Sequence, residues 1–476
     1  MNFAANKIVL QTPTVFVNVI ILFSLTTPFC RHLYLCNFKI PKSSNMKKGF
    51  LLVSLMSFIL MNNCSFAKTV NDSTKNKNPK AGVMSAGLKL PAGFAATVFA
   101  NGLGEARHMA VTPKGDVYVK LSSLKNGKGI YYLHDTNKDG KADVKTGFGD
   151  FTGTGMGVKD GYLYASSDTQ IFRYKLDANG KVIDPAKPEL IVTGLLDRHE
   201  HESKPFTFDN DGNIYVTIGA YSNACQVSDR AKGSPGMNPC PILDSAGGIW
   251  KFSAGKPDQT YGDGERYATG LRNEMGICWN NDVNELYVTQ HGRDQLADLF
   301  PDLYTTKQSA ELPAECLYLL HKGDNAGWPY IYYDQIQHKK ILAPEYGGDG
   351  KKEGGENAID PLVAFPGHMA PDGLLFYEGN MFPEKYKHGA FIAFHGSWNR
   401  APEPQKGFFV AFVPFKDGKP SGNWEVFANN FAGGQQFMSP SDAKHRPCGL
   451  AQGPDGSLYV SDDKGGFIYK IVYKGK

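Results

Sequence analysis

A single pattern recurs along this chain: an apolar strand, a Gly/Asp/Asn turn, then a second strand closing on an aromatic and an aliphatic residue. It reads MAVTPKGDVYV at 109–119, MGVKDGYLYA at 156–165, FTFDNDGNIYV at 206–216 and ICWNNDVNELYV at 277–288. Two more copies follow, LLFYEGNMFPEKYKHGAFIA at 374–393 and LAQGPDGSLYV at 450–460. Between them lie further strand-like runs, among them IFRYKL (171–176), GIWKFS (248–253) and FFVAFVPF (408–415), enough to complete four-stranded units. The pattern predicts an all-β chain: a six-bladed β-propeller of four-stranded antiparallel sheets over residues 88–476. A pair of β-sandwiches has no place for six equivalent hairpins. The 53 Gly and 28 Pro supply the turns such a fold demands.

Two apolar stretches precede this region, Val15 to Pro28 and Phe50 to Met61. The second follows Met46-Lys47-Lys48 and ends at Ser65-Phe66-Ala67, the layout of a secretory signal, and is too short for a comfortable membrane span. The expected organisation is therefore an upstream translation extension over 1–45, a signal peptide over 46–67 and a polar, flexible linker over 68–87. That places the mature chain outside the cytoplasm, periplasmic or secreted, without a membrane span. Cys64 follows Met61-Asn62-Asn63, a poor lipoprotein box that leaves a lipid anchor open. Residues 1–67 hold six basic and no acidic residues, so the remainder carries 45 basic against 47 acidic side chains, a balance that argues against nucleic acid as a partner. Cys225 and Cys240 bracket a loop rich in Ser, Pro, Gly and Asn, the best disulfide pair in an exported chain. No Cys-x-x-Cys-His occurs, so no haem is attached by that motif.

In a propeller the innermost strand of each blade and its antiparallel neighbour send residues just before the first and just after the second to one face. Applied to each copy, this gathers Arg107-His108, His199 to Glu202, Arg272-Asn273, His368 and Arg446 from the leading side. The trailing side adds Lys120, Asp168, Gln290-His291, His395 and Asp462-Asp463. Singly, His108 or His368 reads as a loop cap. As a set, arginines with carboxamides suit a flat polyanion, and a histidine beside Glu200 and Glu202 suits a general base.

Several segments of 88–476 resemble the pyrroloquinoline quinone (PQQ) dependent aldose sugar dehydrogenases, including soluble quinoprotein glucose dehydrogenase and, more closely, the L-sorbosone dehydrogenase-like branch. They are LPAGF (90–94), ARHMAV (106–111), HESKPFTFDNDGNIYVTIG (201–219), TGLRNEMGI (269–277), TQHGRDQL (289–296), GDNAGWPY (323–330), FHGSWNR (394–400) and RPCGLAQGPDGSLYVSDD (446–463). The resemblance implies oxidation of an aldose or sugar aldehyde, sorbosone-like, by hydride transfer to PQQ with a histidine base and calcium beside the cofactor. An external electron acceptor, a quinone or a cytochrome, completes the cycle. By the same resemblance His201 is the base, and Arg272 with Asn273 lies against the quinone carbonyls. Gln290, Arg446 and Asp463 line the cofactor, and the carbonyls of His291 and Gly292 hold the calcium. Arg107 joins the cofactor set from the same face. The glucose enzyme has a second arginine where this chain has Cys448, and its lysine on the fifth blade has no counterpart, so His395 or Arg400 is expected to substitute. These departures move the substrate away from glucose.

A second calcium candidate is the run Asp135, Asn137, Asp139, Gly140, Asp143, which spaces oxygen ligands as the start of a calcium loop does. Its twelfth position is Thr146, and a polar hairpin turn is the competing account. Two other classes remain open on a propeller: a calcium-dependent lactonase or esterase, which needs Asn, Asp and Glu ligands on the axis, and a non-catalytic binding module.

Overall fold

The computed structural model describes residues 83–434 and 436–475. The extension, the signal, Cys64 and most of the linker expected upstream lie outside the described residues. The last part of the expected linker is ordered: Val83–Ser85 pairs antiparallel with Leu88–Leu90, whose two leucines are buried.

Every sequence hairpin forms the two inner strands of a blade, and two outer strands complete each sheet. Blade one is Ala106–Val111, Val117–Lys125, Lys128–His134 and Val144–Phe148. Blade two is Met156–Lys159, Tyr162–Ser166, Gln170–Lys175 and Glu189–Thr193, with Gln259–Thr260 added in parallel at its edge. Blade three is Phe206–Phe208, Asn213–Ile218, Gly248–Ser253 and Glu265–Thr269, and blade four is Ile277–Asn280, Glu285–Gln290, Glu315–Leu320 and Val363–Phe365. Blade five is Pro371–Phe376, Ala390–Phe394, Phe409–Val413 and Glu425–Ala428. Blade six takes Pro447–Gln452, Leu458–Asp462 and Phe467–Tyr473 from the C-terminus and its outermost strand, Phe94–Ala100, from the N-terminal side. The register Phe94↔Tyr473, Ala96↔Ile471, Val98↔Tyr469 closes the ring, and the six innermost strands touch one another in a closed circle.

Each blade buries both faces against its neighbours, so its strands are apolar on both sides rather than alternating. The hydrophobic core is accordingly divided into one cluster per interface between blades. The repeat aromatics Tyr118, Tyr164, Tyr215, Tyr287, Phe391 and Tyr459 are all buried there. Three of these tyrosines also fasten one blade to the next. The hydroxyl of Tyr118 donates to Gly180 O (3.1 Å), that of Tyr164 to Ala254 O (3.0 Å) and that of Tyr287 to Gly418 O (2.7 Å), each in the outer turn of the following blade. A buried hydroxyl without such a partner would carry a desolvation cost, so the repeat position explains both the ring and the tyrosine.

The long insertions between second and third strands, 219–247, 291–314 and 395–408, all rise from one face and wall the mouth of the ring. Cys225 and Cys240, bonded to each other, clip the first of these. The second carries two short helices, Leu296–Leu299 and Thr306–Glu311. Leu296, Tyr304 and Leu312 there pack with Tyr332 and Ile341 of a hairpin, Ile331–Asp334 with Lys339–Leu342, into a satellite core. Among the described residues no helix is long and apolar enough to cross a membrane.

Candidate active site

The approach to blade three places two histidines on opposite sides of one loop. His199 (φ 58°) and His201 (φ 54°) both adopt left-handed backbone conformations, so the two-residue spacing does not put them on one side as an extended chain would. The His199 side chain is 93% exposed and lies 3.3 Å from Asp197. His201 turns inward, and its Nδ1 meets Ala220 O. Gly219 makes this approach possible, because a Cβ there would sit 2.6 Å from His201 Cβ. With Nδ1–H donated to a carbonyl, the lone pair of the neutral ring stays on Nε2. Burial, followed by the nearby Arg272 charge, holds His201 well below the usual imidazole range, so the ring is neutral at pH 7.

Arg272, on the loop entering blade four, is fixed from every side. Its Nε donates to Asn223 O (3.2 Å), Nη1 to Gly292 O (3.0 Å), and Nη2 to Asn223 Oδ1 (3.1 Å) and Asp294 Oδ2 (2.9 Å). Its backbone N–H donates to Gln290 Oε1 at 3.0 Å. Asp294 is the hub, receiving both Nη1 and Nη2 of Arg230 at 3.2 Å and the Asn399 amide, with His368 Nδ1 at 3.7 Å. Burial opposes its ionisation, but Arg272, His368 and Arg230 overcome this and hold the carboxyl well below the ordinary carboxylate range. Arg230, carried by the disulfide-clipped loop, also pairs with Glu200 at 2.9 Å.

A second network adjoins the first through His291, whose Nε2 lies 3.0 Å from Asp372 Oδ1, though off the line of a well-formed hydrogen bond. Asp372 Oδ2 faces Arg107 at 3.5 Å, and Arg107 Nη1 donates to Asp463 Oδ2 at 2.6 Å. His395 Nε2 meets the other oxygen of Asp463 at 2.7 Å. Arg107 Nε is buried without a partner among the described residues. Between the networks lies a cavity of about 280 Å³ lined by His201, Arg230, Arg272, Asn273, His291, Gly292, Glu315 and Trp398, among others.

The structure thus brings His201, Arg272, Asn273, His291 and Gly292 to one cavity, with Gln290 behind Arg272 and Arg107, His395 and Asp463 in the adjoining network. Arg446 grips the loop instead: its Nε donates to His395 O (3.1 Å), Nη2 donates to Gly396 O and Ser397 O, and the guanidinium lies over the Phe408 ring. Arg400 departs from the expected cofactor contact. Buried, it donates to Pro404 O (2.9 Å), Ala310 O, Gly367 O (3.1 Å) and Glu311 Oε1 (2.7 Å), which ties two insertions together and leaves its guanidinium committed to the protein. His368 and His108 serve as caps, with Nε2 on Ser309 O (2.8 Å) and on Asp372 O (2.9 Å) respectively. Lys120 is buried on Gly129 O and Phe151 O, and burial drives it down to about 7.

Asp135, Asn137, Asp139 and Asp143 form the turn between the third and fourth strands of blade one, away from the mouth. There Asp143 Oδ2 accepts from Thr136 N (2.9 Å) and Oγ1 (2.7 Å), and Asp135 accepts from the amides of Asp139 (3.2 Å) and Gly140 (2.8 Å). Those bonds are those of a self-satisfied polar turn. Among the described residues no group of three or more His, Cys, Asp or Glu side chains is arranged to hold a metal.

Sequence reasoning missed Arg230, Asp294, Glu315, Asp372 and Trp398. Asp294 and Trp398 lie inside TQHGRDQL and FHGSWNR, so their segments were marked but their roles were not. Asp372 was missed because the inner strand of blade five begins at Pro371, ahead of the apolar run that starts at Leu374.

The TrAA12-like family model matches residues 88–474. A pyrroloquinoline quinone-dependent pyranose dehydrogenase of Coprinopsis cinerea is 26% identical over 240 residues, covering 42% of this chain and 30% of that protein. A pyrroloquinoline quinone-dependent sugar dehydrogenase of Hypocrea jecorina is 21% identical over 336 residues, covering 67% of this chain and 73% of that protein. An uncharacterized Borreliella burgdorferi protein is 28% identical over 211 residues, 44% of this chain and 49% of its own length. The chain thus spans half or less of two of these three relatives. Among solved structures, the calcium structure of the Trichoderma reesei family AA12 enzyme superposes with a TM-score of 0.65 at 17% identity, covering 85% of this chain and 99% of that one. The holo PQQ domain of the C. cinerea pyranose dehydrogenase gives 0.62 at 20% identity, covering 81% and 97%. Both likenesses establish the fold.

Proposed function

Because the chain belongs to the TrAA12-like family, we propose that it is a PQQ-dependent oxidoreductase that oxidises an aldose or a sugar aldehyde, sorbosone-like in its chemistry. His201 is its general base, calcium accompanies the cofactor, and an external quinone or cytochrome takes the electrons. The observation that carries the reading is the buried, neutral His201, whose Nδ1 is committed to Ala220 O beside a cavity that also presents Arg230, Arg272 and Asn273. The donor set suits a flat polyanion: several guanidiniums converge, and Arg107 Nε is buried without a partner among the described residues. Calcium suits the hard oxygens offered by the His291 and Gly292 carbonyls.

When bound, PQQ supplies the two-electron oxidising power that no side chain possesses. The residues do the rest. His201 Nε2 accepts the proton of the sugar C1 hydroxyl, or of a hydrated aldehyde, while Ala220 O keeps the tautomer in which that nitrogen is free. The positive charge of Arg272, pinned by Asp294 and Asn223, needs no reorganisation to stabilise negative charge gathering in the cavity. Asn273 Nδ2 lies 3.3 Å from His291 Nδ1 and steadies the residue whose carbonyl would hold the calcium.

The test is reconstitution. Purified protein incubated with PQQ and calcium is expected to show bound quinone absorbance and to reduce a redox dye with aldoses. A protein that binds PQQ yet reduces dye with no aldose or sugar aldehyde refutes the reading. A location outside the cytoplasm is part of the same proposal, and fractionation of the native host tests it.

A further inference from the structure

We propose that Trp398 is the platform on which the sugar ring stacks, and hence that the substrate binds as a closed pyranose rather than as an open-chain aldehyde. The inference rests on the reading of the cavity as a sugar-oxidising site. Among the described residues Trp398 is one of the few large apolar side chains left in solvent, 60% exposed, and it lines the cavity that holds His201.

Its exposure does not come from a loose loop, because the residues around it are fastened. His395 is bound through its ring to Asp463 (2.7 Å) and through its carbonyl to Arg446 (3.1 Å). The Ser397 hydroxyl donates to Gln405 Oε1 (2.7 Å) and accepts from Lys406 N (2.9 Å), and Ser397 O takes Arg446 Nη2 at 3.1 Å. The Asn399 amide donates to Asp294, and Arg400 is clamped by four acceptors. A segment held this firmly could have turned its indole into the core; instead the clamps hold it at the rim of the cavity that His201 also lines.

Such an indole presents a rigid apolar face with two rotatable bonds to immobilise, which suits the C–H face of a pyranose. The polar side chains that share the cavity with it, Glu200, Arg230 and Asn273, suit the ring's hydroxyls. Trp398 is thus a positioning residue: it sets where C1 stands relative to His201 and takes no part in proton transfer.

The experiment uses the full chain loaded with PQQ and calcium, with Trp398→Ala and Trp398→Phe. Binding is read without turnover, by ligand-observed NMR with 1,5-anhydroglucitol, a pyranose ring that lacks the anomeric hydroxyl. Trp398→Ala is expected to weaken this Kd and to raise KM for aldopyranoses about tenfold, the size of one good stacking contact. Turnover at saturation should change less than about threefold, Trp398→Phe should recover most of the affinity, and KM for glyceraldehyde should stay put. If no aldose is oxidised but the anhydro sugar binds and Trp398→Ala loosens it, the platform stands and the proposed reaction falls. If aldoses are oxidised while Trp398→Ala leaves Kd and KM unchanged, or alters only the KM of the electron acceptor, the platform is overturned and the reaction stands.

Discussion

Arg272 and Asp294 meet at 2.9 Å with side chains only 4% and 8% exposed, and the same guanidinium also donates to Asn223 O, Asn223 Oδ1 and Gly292 O. Removing one partner of a buried pair leaves the other charged and unpaired, at a cost of about 3–5 kcal/mol. Asp294→Asn is therefore expected to lower unfolding stability by about that amount and to weaken PQQ binding as Arg272 and Arg230 lose their anchor. Urea unfolding and quinone titration check the two effects. Unchanged stability would mean that the pair does not carry the mouth.

His201→Gln keeps a side chain of similar size but removes the proton acceptor. Turnover of the PQQ-loaded protein should fall by roughly 10²–10⁴ while quinone absorbance is retained. His199→Gln, at a position 93% exposed and turned outward, should leave turnover near the starting value. The reverse ranking would overthrow the assignment of the base.

The pH profile follows from the direction of the His201 shift. Burial and Arg272 lower its proton affinity below the ordinary value of 6.5, so the free base persists as pH falls through that value and is lost only beneath it. The acid limb of kcat/KM is expected below pH 6.5. An acid limb centred at or above it would assign the limb to another group.

The bond between Cys225 and Cys240 closes a loop with a sequence separation of 15, for which chain entropy gives about 3 kcal/mol of stabilisation. The same loop delivers Arg230 to Glu200 and Asp294. The double variant Cys225→Ser with Cys240→Ser should lose about that stability and also bind PQQ less tightly, measured by denaturation and by titration. A loss of stability with unaltered PQQ affinity would separate the disulfide from the site.

Calcium and PQQ are expected to bind together. The proposed metal position offers the carbonyls of His291 and Gly292, and Gly292 O already accepts from Arg272 at 3.0 Å. Neutral oxygens alone hold calcium weakly, so a titration without PQQ should show little heat and one with PQQ a clear transition. Tight calcium binding to the PQQ-free protein at this position would contradict the arrangement.

The fold was legible because its unit is local. Each hairpin carries its own turn and its own buried aromatic, from Tyr118 to Tyr459, and the loops at one end of each hairpin had to share a face. The convergence of residues on one cavity was legible where one loop delivers one residue, as with His201 and Arg272. It was not legible where partners come from distant insertions. Nothing near Asp294 in sequence marks it as the anchor of Arg272, Arg230, His368 and Asn399 together. Arg400 shows the opposite failure: an arginine in a promising motif whose four partners, from Ala310 to Pro404, exist only once two insertions have packed. His199 and His201 needed backbone geometry, since a left-handed φ at both reverses what spacing alone suggests.

The sixth blade joins Phe94–Ala100 to Phe467–Tyr473. The first of its strands to be synthesised thus waits for the last, a pairing at nearly the greatest sequence separation the domain contains, and such contacts form slowly. Until the final strand arrives, Phe94–Ala100 has no partner in its sheet and Leu458–Asp462 keeps a bare edge facing water. A chain ending just before Phe467 keeps its hairpins and every residue named at the mouth, yet lacks the strand that ties Phe94–Ala100 into the sixth sheet. Completion of the outer part of the sixth sheet thus waits for Phe467–Tyr473, although none of the residues named at the mouth lies on that strand.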